Sequence, residues 1–199
     1  MTTRKILATL VTVLFSMNCF AAMNKAEAAK RLSEQNKSEV TVAESFKKAF
    51  EEAKGDMKKL TLEQKKAFST AISAIASKVG VKSTALQRIF LIKSDILADV
   101  IRLEDTLRTG TAEQKEAAKA QLDLIENIGT KLDASNYRSV EVQAAVKLLQ
   151  LDLTTLPAKA TEVVKAVNEN IRQGKDLVEA TKEATKGIKG TLEDLIKCV

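Results

Sequence analysis

The stretch Ala85-LQRIFLIKSDILADVIR-Leu103 decides how the chain is read. Leu86, Ile89, Phe90, Ile92, Ile96, Leu97, Val100, Ile101 and Leu103 recur at three- and four-residue steps and cover much of a helical circumference. A helix apolar on more than one face is surrounded by others, so this segment predicts the centre of a bundle. Lys93, Asp95, Asp99 and Arg102 are too frequent for a membrane span.

Working outward, helix start and stop signals punctuate the chain. Thr41-Val-Ala-Glu44, Thr61-Leu-Glu-Gln64 and Thr111-Ala-Glu-Gln114 match the capping box, and Thr191-Leu-Glu-Asp194 is a weaker version. Gly55, Gly80, Gly110 and Gly129 follow apolar-periodic runs, where a glycine ends a helix without a Cβ penalty. Pro157 suits the first turn of a new helix. These signals predict helices near 42–54, 62–79, 84–109, 112–134, 139–154 and 157–186, with a short one near 191–198. No segment alternates with period two, so no strand is expected. The expected fold is all-α: a bundle of about six helices, with a long amphipathic helix at its C-terminal end.

TLEQKKA from Thr61 and TAEQKEA from Thr111 are nearly the same heptapeptide, and each runs on to a glycine at a similar distance. Beyond the glycines the similarity fades. Capping-box chemistry accounts for a shared T-x-E-Q start, and repeat architectures need at least three stacked units. Repeated punctuation is favoured over a duplicated hairpin.

The last third carries Ala160, Val164, Val167, Ile171, Gly174, Val178, Thr181, Thr185, Ile188, Leu192, Leu195 and Val199 at an unbroken 4-3-4-3 spacing. That is the seam of a long packed helix or of a coiled coil. Gly174, Thr181 and Thr185 make it thin. Two uses are open: packing on its own bundle, or self-association and partner binding through Val164, Val167, Ile171, Val178, Ile188, Leu192 and Leu195.

At the other end, Arg4 and Lys5 precede an apolar run from Ile6 to Phe15 that would span only roughly 15 Å as a helix. This is the layout of a signal peptide, with cleavage expected between Ala21 and Ala22. An uncleaved anchor is the competing arrangement. A lipid-attachment reading of Cys19 fits poorly, because Asn18 stands directly before it. Residues 1–21 are therefore expected to leave, 22–40 to form a polar arm or weak helix, and 41–199 to form a single bundle domain. Export to the periplasm or the medium follows. The exported chain then keeps one cysteine, Cys198, which cannot pair internally but can join two chains through an intermolecular disulfide.

With Arg4 and Lys5 gone, 30 basic residues face 26 acidic ones, and the two signs are interspersed. Nucleic-acid binding needs clustered cations and stacking aromatics, and at 4% aromatics the chain has neither, so no nucleic-acid partner is expected. There is no histidine, which removes imidazole bases, Ser-His and Cys-His nucleophile pairs and Glu-x-x-His di-iron sites. No glycine-rich phosphate loop occurs. Asp95 and Asp99 lie one turn apart with Glu104 and Asp105 beyond, but a helix face offers calcium too few oxygens. Lys93 and Arg102 suggest ion pairing at the bundle surface instead. Tyr137 sits in a loop, where a solitary tyrosine usually packs its ring. Asn36-Lys37-Ser38 is a glycosylation triplet that matters only in a eukaryotic secretory pathway.

No catalytic residue, cofactor or metal site is expected. The composition points to an exported, non-enzymatic helical bundle acting by protein–protein contact, as an envelope adaptor or a holdase-like binder. The alternative is a bundle whose amphipathic helices bind lipid or another amphiphile.

Overall fold

The computed structural model describes residues 25–133, 135–149 and 158–186. The expected signal segment with Ala21 and Ala22, the helix near 191–198, and Ile188, Leu192, Leu195 and Cys198 lie outside the described residues. Within them the chain is all-helical, with nine α-helices, one short 3-10 turn and no strand. In chain order these are α1 (Lys25–Gln35), α2 (Lys37–Glu52), α3 (Leu62–Val79), α4 (Ser83–Ile92), α5 (Ile96–Thr109), α6 (Ala112–Lys131), α7 (Val140–Leu148), α8 (Ala158–Arg172) and α9 (Leu177–Thr185).

The stretch that decides the fold is two helices rather than one. The chain turns at Lys93, whose φ and ψ of −128° and 92° are extended, and α5 begins three residues later. No glycine or proline marks the break. A straight helix over 84–109 would run about 39 Å, against about 30 Å for the 20-residue α6, and would overrun the bundle. The turn lets both halves bury their faces instead. α4 buries Ala85, Leu86, Ile89 and Phe90, while α5 is buried around nearly its whole circumference from Ile96 to Leu103. The central position expected for this segment belongs to α5.

The expected long C-terminal helix is likewise broken. Gly174 takes φ +95°, and Lys175 N–H reaches the Asn170 carbonyl at 3.2 Å while Gly174 N–H reaches that of Ile171 at 3.0 Å. This is a Schellman ending, which a residue with a Cβ adopts only under strain. Asp176 then caps α9 by accepting from Glu179 N–H at 2.8 Å. The 4-3-4-3 spacing survives the turn because α8 and α9 form a hairpin, both sides of which face the same core.

The caps divide similarly. Thr61 and Thr111 form reciprocal capping boxes with Gln64 and Gln114. Thr41 does not, since α2 starts at Lys37 and carries Thr41 inside its second turn. Gly80 ends α3 in the left-handed conformation, whereas α6 passes straight through Gly129 to Lys131. A Cβ on Gly129 would lie 2.4 Å from the Ala85 carbonyl oxygen, so this glycine is there for the contact between α6 and α4. The glycines that end the two similar segments thus do different work, which favours repeated punctuation.

The stretch read as a polar arm or weak helix is a formed helix, packed on α5. Ala28 and Leu32 of α1 are fully buried, and most of its other side chains stay partly or wholly exposed. Burial of one leucine and one alanine contributes about 3 kcal/mol, a fraction of the 5–15 kcal/mol that usually holds a domain together. Next to it, Phe46 of α2 stacks on Phe68 of α3 with ring centroids 3.9 Å apart, and Phe68 meets Phe90 of α4 at 5.6 Å. These rings tie α2, α3 and α4 together.

Candidate functional site

A groove of about 450 Å³ opens where α1, α2 and the turn between α4 and α5 meet. Its apolar lining comes from Leu32, Val40, Phe90 and Leu97, which the amphipathic patterns of α1, α2, α4 and α5 aim inward. Glu44, Lys47, Lys48 and Glu51, spaced three and four apart on α2, add charges of both signs along one side. Lys47 and Glu51 approach at 3.5 Å, an exposed pair worth a few tenths of a kcal/mol at most. Ser94 and Asp95 close the far end.

Asp95 connects the groove to the interior. Lys93 Nζ donates to Asp95 at 2.8 Å and to Asp99 at 2.5 Å. Lys93 is 6% exposed and Asp99 is 0% exposed, so the ion pairing expected at the bundle surface is instead buried. The reason is the turn: it brings the lysine at the end of α4 back over the first turn of α5. Further along α5, Arg102 donates to Gln121 of α6 at 3.2 Å, and Gln121 donates to the Leu148 carbonyl of α7 at 3.1 Å. Asp105 completes the row. Burial pushes its carboxyl above the usual range, while the guanidinium groups of Arg108 and of Arg31 on α1 pull the other way. With the folded value raised, the charged form costs stability at neutral pH, and that cost vanishes below the ordinary carboxylate pKa. A row of buried polar groups thus links α5 to the helices around it.

The chain passes from α1 to α2 through an elbow of a single residue, Asn36, with φ −128° and ψ 37°. Asn36 is 7% exposed, and its Oδ1 accepts from Lys78 Nζ of α3, while its Nδ2 is buried with no hydrogen-bond partner. The asparagine of the glycosylation triplet is therefore a folded-in structural residue. Its side chain does not cap α2 although it stands at the N-cap. Beside it the Ser38 hydroxyl, first of all, holds the Glu39 carboxyl below its usual range, helped by Glu39's own N–H and by Lys78. This support of the elbow is present above the ordinary carboxylate pKa and is lost as pH falls through the lowered folded value.

The described residues of the C-terminal seam, for which two uses were open, face inward. Val164 and Val167 are 0% exposed and Ile171 is 7% exposed, all facing the bundle's own core. Val178 packs against that core as a partly buried side chain. On the same face of α8, Asn168 donates to the Ala120 carbonyl of α6 at 2.9 Å and accepts from Asn127 at 2.8 Å. Of the two uses left open for the seam, these four residues serve the packing of their own bundle. Tyr137 is partly buried against the core, with the Arg138 guanidinium 5.1 Å from its ring centroid. Among the described residues no group of three or more His, Cys, Asp or Glu is placed to hold a metal ion, and no helix is long and apolar enough to cross a membrane.

Asn36 stood out in the sequence only within the glycosylation triplet, and Gln121 and Arg88 did not stand out at all. Arg88 donates to the carbonyls of Gly129, Thr130 and Leu132 at 3.1, 3.1 and 3.4 Å, holding the C-terminal end of α6. A lone polar residue in a periodic helix gives no sign of which distant carbonyl it will reach. No family model, curated protein or solved structure matches the chain.

Proposed function

We propose that this is an exported, non-enzymatic helical bundle that works by protein–protein contact, as an envelope adaptor or a holdase-like binder, through the groove between α1, α2 and the α4–α5 turn. The occupant it fits is an amphipathic segment of another protein. Apolar side chains of such a segment would enter the groove beside exposed Ala29 and over the edges that Val40 and Leu97 still present, and its charges of either sign would meet partners along α2. The observation that carries this reading is a two-signed rim along α2 beside an apolar lining drawn from α1, α2, α4 and α5. A rim of mixed sign favours polypeptide over anionic lipid, which attracts clustered cations. The complete lack of histidine weighs against acid–base chemistry near neutral pH.

The test fills the groove from its exposed wall. Ala29 is exposed and Ser33 half-buried, and both line the groove. A29W/S33W is expected to keep the far-ultraviolet spectrum of the parent. Reductant-unfolded insulin B chain serves as the probe, with its aggregation followed by light scattering. The parent suppresses the scattering, and the double variant needs at least about tenfold more protein for the same effect, equivalent to ~1.4 kcal/mol of binding. Equal suppression by both proteins, or none by the parent, contradicts the reading. Co-flotation of the parent with phosphatidylglycerol vesicles, lost in the double variant, would transfer the groove to lipid.

A further inference from the structure

We infer that α1 is an exchangeable arm: the elbow at Asn36 straightens to merge α1 and α2 into one helix, and α1 of each copy docks on α5 of a second copy in a reciprocal dimer. The inference does not rest on the contact function above, although α1 forms one wall of that groove.

Four observations carry it. The backbone ladder runs up to the elbow from both sides, with Asn36 N–H bonded to the Leu32 carbonyl at 2.8 Å and Val40 N–H to that of Asn36 at 3.0 Å, and only the bonds that would cross Asn36 are missing. Both are helical i to i−4 bonds, so straightening requires little more than returning Asn36 to helical φ and ψ. Second, residues 25–52 contain no glycine and no proline and are rich in alanine, glutamate and lysine. Their intrinsic preference is one helix of about 42 Å.

Third, the elbow is poorly satisfied as it stands. α2 begins without a side-chain cap, and the buried Asn36 Nδ2 has no partner. In the straight helix Lys37 and Ser38 N–H would gain the carbonyls of Ser33 and Glu34, which a helix start cannot supply. What keeps the bend is tertiary: Lys78 of α3 on Asn36 Oδ1, and the docking of Ala28 and Leu32.

Fourth, the surface that α1 would uncover already has a ligand of known shape, which is α1 itself. The arm of a second copy brings the same Ala28 and Leu32, and the same Arg31 toward Asp105. Exchange therefore restores every docking contact and relieves the elbow, and the two-fold arrangement closes without leaving an open face.

The experiment is the solution mass of the purified exported chain and its variants by light scattering, in reductant to set Cys198 disulfides aside. Asn36→Ala removes the unpartnered amide and the Lys78 contact and favours a continuous helix. It is expected to tighten dimerisation at least about tenfold over the parent. Lys78→Met releases the same latch without touching the elbow, and serves if Asn36→Ala does not fold. Lys37→Pro places proline at the first position of α2, where the bend tolerates it and a continuous helix does not. That variant is expected to remain a folded monomer at all concentrations. Asn36→Ala and Lys78→Met both monomeric up to about 1 mM, or Lys37→Pro dimerising as tightly as Asn36→Ala, would overturn the inference.

Discussion

Lys93→Met is expected to lower the free energy of unfolding by about 3–5 kcal/mol, because it takes from fully buried Asp99 a cation 2.5 Å away. The methionine fills most of the space, so the loss is electrostatic rather than a cavity effect. The matching prediction is that K93M/D99L recovers most of the loss. A buried pair replaced by apolar side chains of similar size is often neutral or better, whereas breaking one partner is not. Urea unfolding measures both, and the midpoint should move with little change in slope. If K93M and K93M/D99L are equally unstable, Lys93 holds the α4–α5 turn by its stem rather than by its charge.

Gly129→Ala is the second large effect, about 3 kcal/mol or more. The new methyl carbon would lie 2.4 Å from the carbonyl oxygen, 2.5 Å from Cα and 2.6 Å from Cβ of Ala85. Two of those three atoms are backbone, so α4 and α6 must separate, and Arg88 loses its hold on the last carbonyls of α6. Trimming the partner does not help: G129A/A85G should stay close to G129A. Gly80→Ala is a useful contrast. It meets nothing within 4 Å, and its cost, about 1 kcal/mol, comes only from the left-handed φ of 74°. Thermal unfolding of the three variants separates crowding from backbone strain.

These two sites also mark where the sequence could be read and where it could not. Periodicity identified 85–103 as a central segment, because a run apolar on several faces has few other places to go, and α5 takes that central place. It could not see the turn at Lys93, since nothing at 93–95 breaks a helix locally; the turn exists because the two halves bury more surface bent than straight. Gly129 looked like a stop signal for the same reason Gly80 did, and only the approach of Ala85 distinguishes them. Gly174 was hidden by regular spacing, which a helical hairpin and a single helix satisfy equally. Thr61 and Thr111 were readable because a capping box is local chemistry, complete within four residues. The groove was not, since its walls come from α1, α2 and α5, brought together by long-range packing. Asn36, which forms the elbow between α1 and α2, was noticed only as part of a triplet whose meaning lies elsewhere.

Exchange of α1 requires a docked arm that opens separately from a core that does not need it. Residue-resolved native-state hydrogen exchange tests this directly. The amides from Lys30 to Gln35 should exchange through a local opening at least about 100-fold faster than those buried in α5 and α6, while α5 keeps its protection. Were the α1 amides to exchange with the slowest class, through global unfolding alone, α1 would be an integral part of the core and not an exchangeable arm.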